Sequence, residues 1–130
     1  MKLLLDTHIW IWSVAEPERL SSRVRDALES SENEIWLSPI SIWEFLLLVE
    51  KGRLTPGMPA RQWIAETMIR LPTREAPLTH GIAQESRILD LPHEDPADRF
   101  LAATAKVLQL TLVTADGRLA GSREFAVLSN

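Results

Sequence analysis

Apolar residues fall in short runs whose spacing switches between strand-like and helix-like, with acids, prolines and glycines at the switches. Lys2-Leu3-Leu4-Leu5 reads as a short buried strand ending at Asp6, and Ile9-Trp10-Ile11-Trp12 with Val14-Ala15 as a helix that stops before Pro17. Ser21 or Ser22 caps a second helix, Arg23 to about Ser31, with Val24, Ala27 and Leu28 on one face. Glu34 to Ser38 forms a second strand, Pro39 breaks it, and Ile40 to Glu50 makes a third helix closed by Gly52. After a loop from Gly52 to Pro59, Ala60 to Leu71 is amphipathic around Trp63, Ile64, Met68 and Ile69 and ends at Pro72. An extended piece, Glu75 to Leu78, leads into a helix from Thr79 to Leu89. Asp95 and Pro96 then open a helix to about Leu108, and Thr111–Thr114 and Phe125–Leu128 are the last strands.

Strands that alternate with helices imply right-handed crossovers and a parallel sheet covered on both faces. The expected fold is α/β, a three-layer α/β/α sandwich with a short, mostly parallel central sheet, and 130 residues fit one domain spanning 1–130. Composition narrows the class. Hydrophobic residues at 45% and charged residues at 25% are globular values. The absence of cysteine excludes a disulfide framework and thiolate zinc, and fits a cytoplasmic protein. The N-terminus reaches Asp6 after three leucines, too soon for a signal-peptide core or a membrane span. A net charge of -4 argues against wrapping nucleic acid by global basic charge, while leaving room for a nuclease whose acidic pocket is neutralised by cations.

Four acids stand out. In open parallel sheets, ligands bind beyond the carboxyl ends of the strands, where Asp6 and Asp116 emerge. Glu44 lies one helical turn from Ile40, Leu47 and Leu48, not on a charged face. Asp98 sits at the third position of a helix whose first residue is Pro96; the helix dipole favours an acid there by only roughly 0.3–1 kcal/mol. Asp95 is a natural N-cap. Converging carboxylates need cations, and an all-oxygen set suits Mg²⁺ or Mn²⁺. Phosphodiester hydrolysis is the natural use of such a site. Thr7 and Ser38, also at strand ends, can position water or serve as local caps. His8 and His93 are weaker ligand candidates, because the set already looks all-oxygen. Arg99, beside Asp98, is expected to be the arginine nearest the acids, where it contacts substrate phosphate or braces the carboxylates; the alternative is an exposed helical arginine.

The segments Leu3-Leu4-Leu5-Asp6-Thr7-His8, Ser38-Pro39-Ile40-Ser41-Ile42-Trp43-Glu44, His93 to Ala105, and Leu112-Val113-Thr114-Ala115-Asp116 occur in an order that resembles PIN-domain proteins, in particular the toxin components of bacterial VapBC-type toxin–antitoxin pairs. The resemblance covers essentially the whole chain and maps the family's acidic quartet onto Asp6, Glu44, Asp98 and Asp116, with Asp95 as capping residue in a possible secondary role. It implies a Mg²⁺- or Mn²⁺-dependent endoribonuclease acting on structured or single-stranded RNA and held inactive by a cognate antitoxin. The segment Gly117 to Ser122 departs from the pattern in being small and Gly-rich where relatives usually carry a bulkier one.

Two other classes compete. A receiver-like phospho-acceptor module shares the size and layout but needs a lysine after a late strand, and Lys51 and Lys106 fall on helices. An inactive PIN-like binding module has no need of four acids. Trp10, Trp12, Trp43 and Trp63, four of the five tryptophans, flank the acid-bearing segments and suggest an apolar groove beside the pocket, suited to an amphipathic helix; the alternative is that all five are core or dimer residues. The resemblance implies an antitoxin C-terminal segment in that groove, placing an Arg or Lys among the carboxylates, with a toxin homodimer formed elsewhere.

Overall fold

Every strand pairing is parallel, and the first strand of the chain lies in the middle of the sheet. The computed structural model describes residues 1–92 and 94–130. Strands β1 (Lys2–Leu5), β2 (Glu34–Leu37), β3 (Arg74–Glu75), β4 (Thr111–Thr114) and β5 (Ala126–Ser129) are ordered β3-β2-β1-β4-β5. Helices α1 (Thr7–Ala15), α2 (Ser22–Glu29), α3 (Pro39–Glu50), α4 (Ala60–Arg70), α5 (His80–Ile88), α6 (Pro96–Leu108) and α7 (Gly117–Ala120) connect them, with a 3₁₀ turn at Pro17–Arg19.

The period-two alternation of strand side chains explains the two faces. Leu4 and Leu112 point to one, where Ile82, Leu101, Ala102 and Leu119 close the core. Leu3, Leu5 and Val113 point to the other, against Ile9, Trp10, Phe45 and Trp63. All three leucines of β1 are fully buried, each worth about 1.5–3 kcal/mol of transfer free energy, so the carboxyl end of β1 is held rigidly.

The three-layer α/β reading matches this architecture, with the sheet all-parallel. The differences are local. The extended piece lies at Arg74–Glu75 and not at Glu75–Leu78, because β3 is set by its register with Trp36 and Leu37. The last strand begins one residue later than expected, at Ala126, and a short helix at Gly117–Ala120 precedes it. On α4, Ile69 is exposed while Thr67 is buried, so the apolar stripe lies to one side of where Ile69 suggested. Gly52 has a φ of 71° just after α3, the left-handed conformation that lets the chain leave a helix at no steric cost. Among the described residues no helix is long and apolar enough to cross a membrane.

Candidate active site

The strand order reverses direction around β1. The chain goes from β1 to β2 on one side, while β4 takes the other side, so a crevice opens at the carboxyl ends of β1 and β4. Asp6 ends β1 and caps α1, and its backbone N–H donates to the Val113 carbonyl (2.9 Å). One carboxylate oxygen accepts from the Thr7 N–H (2.7 Å), the other from the Thr114 hydroxyl (2.6 Å). The same Thr114 oxygen accepts the N–H of Asp116 (3.0 Å), so one hydroxyl at the end of β4 sets the positions of two acids.

Asp116 caps α7, and Arg118 grips it from three directions: its N–H and Nε donate to Oδ1 (2.9 and 3.1 Å), and Nη2 donates to Oδ2 (2.8 Å). Glu44 projects from α3, the helix that Ser38 caps by accepting the Ile40 N–H (3.1 Å). Helices α1 and α3 are tied together by the buried hydroxyls of Thr7 and Ser41, 3.0 Å apart, and a hydrogen bond from Thr7 also favours the charged form of Glu44. Asp98 stands in the first turn of α6, its N–H donating to the capping Asp95 carboxylate (3.2 Å).

Asp6, Glu44, Asp98 and Asp116 line one cleft of about 370 Å³, together with His8, Trp12, Asp95 and Arg118. Asp6, Glu44 and Asp98 are pushed toward their protonated forms. Burial raises Asp6, although the Thr114 and Thr7 donors pull the other way. Burial also raises Glu44, opposed by Thr7 and reinforced by Asp6 and Asp95. Asp98 is pushed up to about 7, first by burial and then by the charges of Asp6, Asp95, Asp116 and Glu44. These acids repel one another in a place water reaches poorly, which is the electrostatic signature of a site that prefers a cation.

The donor set is all oxygen, the chemistry of a hard divalent ion. Among the described residues no three carboxylate or imidazole groups stand close enough to close around one ion as they are.

Other sequence readings fare differently. Asp95 is the α6 cap, as its type and spacing implied. Ser38 is a buried cap, Thr7 is a buried tether, and His8 lies on the cleft. His93 lies outside the described residues. Arg99 is not exposed and is not among the residues lining the acid cleft: it is 4% accessible, and its Nε and Nη2 donate to the carbonyls of Ser86 and Leu89 (2.7 Å each), fastening α6 to the end of α5. Successive helical residues point about 100° apart, so adjacency to Asp98 put Arg99 on a different face. The arginine at the acids is Arg118, which the sequence reading missed. Its signal was there in Asp116-Gly117-Arg118, since a capping aspartate reaches the N–H two residues on.

The tryptophan groove is also redrawn. Trp10 and Trp63 are buried, packed edge-to-face at 5.3 Å, with Phe45 stacked on Trp63 at 4.4 Å. Trp43 is the exposed one, at 53%, beside an apolar hollow of about 540 Å³ that includes Ile42, Leu46 and Met68. This hollow is larger than the acid cleft but holds none of the four acids.

A family model described as PIN domain matches residues 3–122. The chain is 34% identical over 122 residues to ribonuclease VapC22 of Mycobacterium tuberculosis, covering 93% of this chain and 92% of that protein. Its fold is similar to VapBC2 from Rickettsia felis, solved bound to a DNA fragment from their promoter, with a TM-score of 0.73 at 18% identity over 99% of this chain and 98% of that one. It is also similar to FitAcB from Neisseria gonorrhoeae, with a TM-score of 0.64 at 25% identity over 98% and 96% of the two chains.

Proposed function

The chain belongs to the PIN-domain family, and from that premise we propose that it is a divalent-metal-dependent endoribonuclease, one domain spanning 1–130, that acts as a toxin and is restrained by a cognate antitoxin. One observation carries the reading: acids from four separate segments line a single cleft at the carboxyl ends of the central strands, and their mutual repulsion calls for a cation. Asp6, Glu44, Asp98 and Asp116 would hold Mg²⁺ or Mn²⁺, which supplies positive charge at the phosphoryl oxygens and lowers the pKa of the attacking water. The protein's own part is preorganisation. Thr114 and the Thr7 N–H fix Asp6, Thr7 steadies Glu44, and Arg118 holds Asp116 ready.

A receiver-like module requires a lysine within reach of the acids. Lys106 is instead paired with Glu85 and Glu124 (2.7 and 2.8 Å), near the opposite end of α6. The antitoxin would anchor apolar side chains in the hollow by Ile42, Leu46 and Met68, and a homodimer would form on another face; the setting is cytoplasmic.

The purified chain, incubated with RNA in Mg²⁺ or Mn²⁺, should cut it internally, stop on addition of a chelator, and resume on return of the metal. RNA left intact under all these conditions removes the enzyme reading.

A further inference from the structure

The acid cleft is the middle of three connected hollows. On one side it shares Glu44 and Asp95 with a hollow of about 250 Å³ that runs along α3 past Leu47, Leu48 and Lys51 to Arg53. On the other it shares Arg118 with a hollow of about 450 Å³ lined by Arg123 and also by Asp90 and Glu124. Glu44, Leu47, Leu48 and Lys51 are spaced i, i+3, i+4, i+7, one continuous face of α3, so the stripe leads from a putting-down point at the acid to a cation about 10 Å further along the helix. Lys51, Arg53 and Arg123 are all exposed, and among the described residues none has an ion-pair partner. In an acidic chain, the α3 hollow thus carries two cations without ion-pair partners at its far end, whereas the hollow beyond Arg118 balances its two arginines with two acids. A phosphodiester strand matches the α3 side, with phosphates on Lys51 and Arg53 and the reacting phosphate at the acids.

Trp43 adds the second requirement. It lines the same α3 hollow and exposes 53% of its surface, an indole offered to a flat apolar partner over the floor made by Leu47 and Leu48. Bases of a duplex are already stacked on one another, whereas an unpaired base can stack on an aromatic side chain. Resting on the nuclease reading above, we propose that a single RNA strand runs along the α3 hollow into the acid cleft, with one base stacked on Trp43 and phosphates on Lys51 and Arg53 before the acids.

The test is fluorescence anisotropy with a labelled, unstructured RNA oligonucleotide in Mg²⁺, using the full chain carrying Asp98→Asn to suppress cutting. Lys51→Ala combined with Arg53→Ala should weaken binding about tenfold or more and flatten the salt dependence by about 1.4 in log–log slope, two phosphate contacts' worth for a single strand. A matched loss of two exposed charges elsewhere, Lys2→Ala with Arg61→Ala, should leave that slope unchanged. Trp43→Ala should cost on the order of tenfold with the slope intact, Trp43→Phe should recover most of it, and neither should alter binding of a duplex. If the unsubstituted chain cuts RNA while these variants bind the strand normally, the lane is wrong and the nuclease reading stands. If Trp43→Ala spares RNA binding but loosens a co-expressed antitoxin, a protein partner owns the surface and the proposal falls. If the unsubstituted chain neither binds nor cuts RNA, both readings fall together.

Discussion

The two ends of α6 carry charge in opposite ways. At its carboxyl end Lys106 bridges Glu85 and Glu124, holding Glu124 below the usual carboxylate range, so that end is internally balanced. At its amino end Asp95 and Asp98 face Asp6 and Glu44, and Asp98 is driven to about 7. One helix thus has a settled end and a frustrated one. A fold under selection for stability alone has no reason to keep the second, and the difference marks the amino end as the place where something from outside completes the charge balance.

The comparison can be broken most decisively at Asp98. Asp98→Asn should lower RNA cleavage by more than the roughly 10–100-fold typical of changes to outer-shell partners, with the fold retained by circular dichroism. Full activity in that variant would remove the frustrated end from the chemistry.

A pH series sharpens the contrast. Between about pH 4 and 7 the folded chain keeps the Asp98 proton, which the unfolded chain, at the ordinary value of 3.8, has released. Stability of the metal-free protein should therefore fall as pH rises through that window and then level off. The raised carboxyls of Asp6 and Glu44 act in the same direction. Mg²⁺ should accordingly raise the melting temperature more at pH 8 than at pH 5. At the settled end, Glu124 contributes above its ordinary 4.5 and the raised Lys106 below its ordinary 10.5, so neither varies across this range. A metal-free melting temperature that rises from pH 5 to 8 contradicts the assignment.

Asp95→Ala should cost about 0.5–2 kcal/mol in thermal or urea unfolding, through loss of the cap on α6. Smallest of all, Lys106→Met should leave cleavage unchanged and melting nearly so, because exposed ion pairs contribute little. A marked loss of cleavage there would mean that the two ends are coupled.

Much of this could be read in the chain itself, and the reasons it could not all be read are specific. The leucines before Asp6 and the Thr111–Thr114 run specify buried parallel strands, and strand ends are where Asp6 and Asp116 emerge. Asp95-Pro96 fixes the start of α6 to the residue. Trp10 went astray because α1 is apolar nearly all round: Ile9, Trp10 and Ile11 are consecutive and all buried, so no periodicity reveals which side meets the core. Arg99 went astray because a buried arginine bound to two carbonyls leaves no trace in sequence spacing. Arg118 sits in a four-residue helix too short to show a periodicity, so its one signal was the capping spacing from Asp116.

The hydrogen bond from Thr114 to Asp6 spans 108 positions of sequence. Closing so large a loop is entropically costly and kinetically slow, and β1 cannot gain its second neighbour until β4 has been synthesised. A chain emerging from the ribosome therefore carries Asp6 and Glu44 for most of its synthesis without Thr114 to orient the first or Asp116 to complete the set. The four-acid cleft is among the last things the polypeptide acquires, so on the proposed reading translation itself would withhold cleavage until nearly the whole domain has been made.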